Sequence, residues 1–121
     1  MIKKELRVLI VDDDDATAAM LRRALSRHGF EVDAVSSAAR ARELAQQNVY
    51  DAAILDLVMP GQDGKDLAAT LRERIPDLRV ALLTGYTRSP LLAGVERSGV
   101  SLFTKPVAIQ ELVDFINGPP R

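Results

Sequence analysis

The chain has 121 residues, 47% of them hydrophobic, with 16 basic and 17 acidic side chains and a formal net charge of −1. That length supports one domain with a real core and excludes two, and the balanced charge excludes a bulk field that would recruit nucleic acid or an anionic membrane. The absence of cysteine excludes a disulfide framework and a thiolate metal site.

The opening MIKKELRVLIV carries two lysines, but its apolar run is short and ends in aspartates, unlike a signal peptide, and no segment reaches transmembrane length. A soluble, cytoplasmic domain is expected. RVLIV (7–11) reads as a first strand and runs straight into four aspartates, 12–15. Adjacent carboxylates repel one another unless a cation sits among them. Asp15 is expected as the N-cap of the following helix, which accounts for it and extends to Asp14. Asp12 and Asp13 directly continue the strand, and capping does not explain them.

ATAAMLRRALSRH (16–28) is a helix that stops at Gly29, with Arg27 and His28 near the negative end of its dipole. His28 is therefore read as a helix-end residue rather than a phosphohistidine, and Arg22 and Arg23 as a solvated face. EVDAV (31–35) is a second strand, and Ser36 or Ser37 caps AARARELAQQN (38–48). DAAILDL (51–57) is a third strand, in which Asp56 stands among apolar residues where an unpaired carboxylate would be costly. MPGQ suits a turn with Pro60 in its second place and Gly61 in its third. Asp63 caps GKDLAATLRERI (64–75), with Asp66 in the first turn and Pro76 at the stop.

RVALLT (79–84) is a fourth strand ending at Thr84, and Gly85 leaves space for a phosphate to approach. SPLLAGVERSG (89–99) is a fourth helix, SLFT (101–104) a fifth strand followed by Lys105 and Pro106, and VAIQELVDFIN (107–117) a fifth helix ended by GPP.

Alternation of strand and helix implies parallel strands with right-handed crossovers, an α/β doubly wound sandwich. Sites in such folds form beyond the carboxyl ends of the strands. Those ends carry Asp12, Asp13, Asp56, Thr84 and Lys105. Three carboxylates against one ammonium leave room for a divalent cation, and hard oxygen donors point to Mg2+. A carboxylate beside Mg2+ and an ammonium can attack phosphorus, and Asp56 is the best-placed nucleophile.

The motifs LIVDDD, ILDLVMPGQDG, LLTG and TKP, in this order on alternating strands and helices, make the chain resemble the receiver domain of two-component response regulators over essentially its whole length. The resemblance implies a flavodoxin-like three-layer sandwich with five parallel strands in the order 2-1-3-4-5 and five helices. It implies a single receiver domain over 1–121 with its core at about 6–117. It also implies that Asp13 binds the metal directly, Asp12 through water and Val58 through its carbonyl. Asp56 is then the phosphoacceptor, Thr84 turns its hydroxyl to the phosphate, Lys105 pairs with it, and the Lys105–Pro106 peptide is cis. The implied partner is a sensor histidine kinase or phosphotransfer protein. Output is expected through the face of the fourth helix, fifth strand and fifth helix, with Leu91, Leu92, Phe103 and Val107 as candidates and homodimerisation as one use. No direct nucleic-acid or membrane contact is expected, and the chain is either a single-domain regulator or the receiver part of a longer protein.

Leu102 departs from the family, which usually has an aromatic residue there, three before the lysine; alternation along the strand keeps Phe103 from replacing it. Val58 has no polar side chain to position water and Tyr86 could shield the site, so slow self-dephosphorylation is expected. Two other readings stay open. One is a pseudo-receiver that binds partners without phosphorylation. The other is an aspartate-nucleophile phosphohydrolase, with Asp13 as nucleophile and Asp15 as acid in DDDAT.

Overall fold

A computed structural model of the chain describes residues 5–85 and 99–118. Five strands, β1 Arg7–Val11, β2 Glu31–Val35, β3 Ala52–Asp56, β4 Arg79–Thr84 and β5 Ser101–Thr104, form one parallel sheet in the order β2-β1-β3-β4-β5. The described helices are α1 Asp15–Arg27, α2 Ala38–Gln47, α3 Gly64–Arg74 and α4 Ile109–Asn117. The helix expected over 89–99 lies, except for Gly99, outside the described residues, together with Tyr86, Leu91 and Leu92, so α4 is the fifth of the helices expected from sequence.

The two-residue period of the strands sorts their side chains into two layers. Val8 and Ile10 of β1, Ile54 of β3 and Leu83 of β4 pack with Leu21 and Leu25 of α1 and Leu112 and Ile116 of α4. Leu9 and Val11, Leu55, and Val80 and Leu82 face the other way, against Ala41 and Ala45 of α2 and Leu67 and Leu71 of α3. β3 is buried along its whole length, as a central strand with helices on both faces must be. The result is the expected three-layer doubly wound sandwich.

Helix starts follow side-chain chemistry. Asp63 accepts from the Asp66 N–H at 2.8 Å, and Ser37 rather than Ser36 accepts from the Arg40 N–H at 3.2 Å. The cap of α1 is Asp14, not Asp15: its carboxylate accepts from the Ala16 and Thr17 N–H groups and from the Thr17 hydroxyl. These three donors hold the Asp14 carboxyl below its ordinary value, the Thr17 hydroxyl contributing most. Gly29 closes α1 at φ +90, and Gly61 turns the chain after β3 at φ +85, the left-handed conformation expected of the third residue of its turn.

Candidate functional site

Every strand of the sheet except β2 brings a site residue to the same edge. The β1–β2 pairing continues one step beyond Val11 through the Asp12 N–H to the Val35 carbonyl, 3.1 Å, which aims Asp12 off the end of the sheet. On β3, Asp56 is the last paired residue, opposite Leu83. The Leu57 N–H then bonds the Leu83 carbonyl at 2.9 Å, holding the strand end firm. β4 ends on Thr84, which is buried, and the Thr84 carbonyl accepts from the Lys105 N–H at 2.7 Å. That bond, followed by the expected cis Lys105–Pro106 peptide, brings Lys105 to the site from β5.

The side chains meet. Lys105 Nζ lies 3.2 Å from Asp56 Oδ1 and 3.8 Å from Asp12 Oδ2. Asp12 and Asp56 are only 2% and 8% exposed, while Asp13 is exposed at the rim. One carboxylate oxygen from each of Asp12, Asp13 and Asp56 falls in a group within 4.8 Å of one another. Burial pushes the Asp56 carboxyl above its ordinary value and the Asp12 charge adds to this, against the opposing pull of Lys105 and of the Val58 N–H.

This donor set suits a hard cation. Asp12 Oδ1 accepts from the Asp14 N–H at 2.9 Å, whereas Asp12 Oδ2 is buried with no hydrogen-bond donor. A buried carboxylate oxygen left without a donor is costly, and a cation bound among the three acids would satisfy it. The acidic cluster can therefore hold a metal ion. Asp15, by contrast, is an exposed first residue of α1 and stands apart from the cluster.

Two features of the site were not foreseen from sequence. Gly64 opens α3 directly under the end of β3, donating its N–H to the Leu57 carbonyl at 2.8 Å. A Cβ there would collide with the Asp56 carbonyl oxygen and come within 2.9 Å of Leu82 Cδ2. Gln62, in the loop between β3 and α3, is held by Arg42 and Thr70. The DG pair at 63–64 hints at a helix start, but no local signal tells that α3 must approach a strand end this closely.

Beyond the fold and site, residues 8–117 match the response regulator receiver domain family. The chain belongs to that family. Response regulator MprA of Mycobacterium sp. strain KMS is 36% identical to this receiver domain over 109 residues, which is 89% of this chain and 47% of that protein. The chain thus spans about half the length of the curated relatives it matches. Among solved structures, a receiver domain protein from Clostridium thermocellum superposes with a TM-score of 0.86 at 26% identity, covering 93% of this chain and 91% of that one. A response regulator from Burkholderia pseudomallei, solved with a phosphorylated aspartic acid, a calcium ion and citrate, has a TM-score of 0.84 at 25% identity, covering 93% and 67%. Family membership makes this a regulatory domain of phosphorylation-dependent signalling, and the phosphohydrolase and pseudo-receiver readings are not favoured.

Among the output candidates, Phe103 and Val107 are half-buried against the α1 and α4 layer, where Phe103 meets Phe115 edge to face at 5.6 Å. Leu102 faces away from them and is 43% exposed. Among the described residues no helix is long and apolar enough to cross a membrane.

Proposed function

We propose that residues 1–121 form a single receiver domain that accepts a phosphoryl group on Asp56 from the phosphohistidine of a sensor histidine kinase or phosphotransfer protein, and that it works as a switch rather than as an enzyme with a turnover substrate. The observation that carries this reading is the convergence of Asp12, Asp13 and Asp56 around a buried, donorless carboxylate oxygen, with Lys105 Nζ 3.2 Å from Asp56. Asp12, Asp13, Asp56 and the Val58 carbonyl hold Mg2+, which when bound neutralises charge on the phosphoryl group. An Asp56 carboxylate oxygen attacks phosphorus, a new O–P bond replaces the N–P bond of phosphohistidine, and the imidazole leaves. Lys105 holds the carboxylate in place and then meets the phosphoryl oxygens, and the Thr84 hydroxyl donates to them. The phosphorylated aspartic acid and calcium ion of the Burkholderia relative support both assignments.

The domain acts in the cytoplasm. Its changed state is read on the face to which β5 and α4 contribute, by a partner protein or a second copy, with no direct nucleic-acid or membrane contact by residues 1–121. The test is intact mass after incubation with Mg2+ and acetyl phosphate. One phosphoryl adduct is expected, lost in Asp56→Ala and in chelator. An adduct that persists in Asp56→Ala would remove Asp56 from the mechanism.

A further inference from the structure

The loop from 58 to 63 carries Val58, whose N–H bonds the Asp56 carboxylate, and its two ends are secured by β3 and by the Gly64 N–H to Leu57 bond. Its middle is secured differently. Met59 is buried in the α2 and α3 layer, and the Gln62 side chain bonds Arg42 of α2 and Thr70 of α3. The Gln62 side-chain Oε1 accepts from the Arg42 guanidinium of α2. The Gln62 amide nitrogen donates to the Thr70 hydroxyl of α3 at 3.4 Å, and that hydroxyl in turn donates to the Asp66 carbonyl at 3.1 Å. All three side chains are spent on this chain of contacts, which runs from α2 through the loop to α3 and touches none of Asp12, Asp13 and Asp56.

We propose that Gln62, clamped by Arg42 and Thr70, is a positioning residue that holds the 58–63 loop in the shape needed to present Val58 to the metal ion and phosphoryl group. The inference rests on the proposed Mg2+ role of the Val58 carbonyl. A loop with fixed ends still has freedom in its middle, and a clamp that removes it leaves less ordering to be paid when the ion binds. Supports one step removed from the metal commonly change affinity by roughly 10- to 100-fold; Gln62 acts through four residues of backbone, so the low end applies. The clamp also ties α2, which contributes no site residue, to the site.

The experiment compares wild type with Gln62→Met, Arg42→Met, the double variant, Gln62→Glu and Thr70→Val. The readouts are backbone amide exchange of 58–62 in metal-free protein, the Mg2+ Kd by calorimetric titration, and the rate of phosphorylation by acetyl phosphate. Gln62→Met is expected to speed exchange in the loop alone and to weaken Mg2+ binding by roughly tenfold. Arg42→Met should match it and the double variant add little, because one clamp is lost in each case. Gln62→Glu keeps a partner for Arg42 and should bind Mg2+ as wild type does, and phosphorylation of Gln62→Met should recover at saturating Mg2+. Loop exchange and Kd unchanged in both Gln62→Met and Thr70→Val would overturn the inference while leaving Asp56 phosphorylation intact. A wild type that binds no Mg2+ would overturn the functional reading itself, and the inference with it.

Discussion

Asp56 sits where its charge is least welcome, almost buried and facing the charge of Asp12, with Lys105 offsetting part of that cost. A carboxyl whose folded-state value is raised loses stability as pH climbs from its unfolded value, near 4, through the folded one. In chelator at pH 7, Asp56→Asn should therefore melt above wild type, and the gap should shrink towards pH 4. A wild type that melts as high as the variant at pH 7 would contradict this electrostatic account. Asp14 behaves with the opposite sign. Its lowered value contributes stability above the unfolded value that is lost as pH falls through the folded one, so Asp14→Ala should lower the melting temperature at pH 7 and matter less at pH 2. Val58 is 51% exposed, two residues after Asp56, and brings no polar side chain to orient water. Val58→Asn should shorten the lifetime of the aspartyl phosphate several-fold, read from decay of the intact-mass adduct, and an unchanged lifetime would separate Val58 from hydrolysis.

At the level of elements, α3 and β5 carry the sharpest constraints. Because a Cβ on Gly64 would meet the Asp56 carbonyl and Leu82, Gly64→Ala must push α3 away from the end of β3. A loss of about 2 kcal/mol with weakened Mg2+ binding is expected from melting and titration. Replacement at the exposed turn glycine Gly61 is costly for another reason, its φ of +85, and leaves the helix contact alone. On β5 the alternation of side chains separates two neighbours. Phe103→Ala should cost about 2 kcal/mol because it empties the contact with Phe115, whereas Leu102→Ala should stay within roughly 0.5 kcal/mol. Equal losses would mean that β5 pairs in a different register from Leu82 with Leu102 and Leu83 with Phe103.

For the whole molecule, the sheet carries a concentrated negative charge at one edge, and ion binding is linked to folding. Mg2+ at 100 times its Kd should stabilise the fold by about 2.7 kcal/mol, a dependence that Asp56→Ala should blunt. Melting temperatures that ignore Mg2+ in wild type would argue against the acidic cluster as a cation site.

The strand bounds at 7–11, 31–35, 79–84 and 101–104 were legible in the sequence because each strand is a short apolar run between turn or cap residues, and local chemistry suffices to delimit it. The candidate site was legible for the same reason: its acids and lysine stand at strand ends, and parallel winding brings those ends to one edge. The cap of α1 was misread by one residue, since in a run of four aspartates only the backbone geometry selects which carboxylate reaches the Ala16 and Thr17 N–H groups. Composition and pattern by themselves determined the fold class and pointed to a carboxylate cluster able to hold a cation. Contacts between segments distant in sequence were decided only in three dimensions: Lys105 against both Asp12 and Asp56, Gly64 pressed under β3, and Gln62 clamped between α2 and α3. Such contacts depend on how far each helix is drawn over the sheet by the packing beneath it, and no local residue pattern encodes that distance.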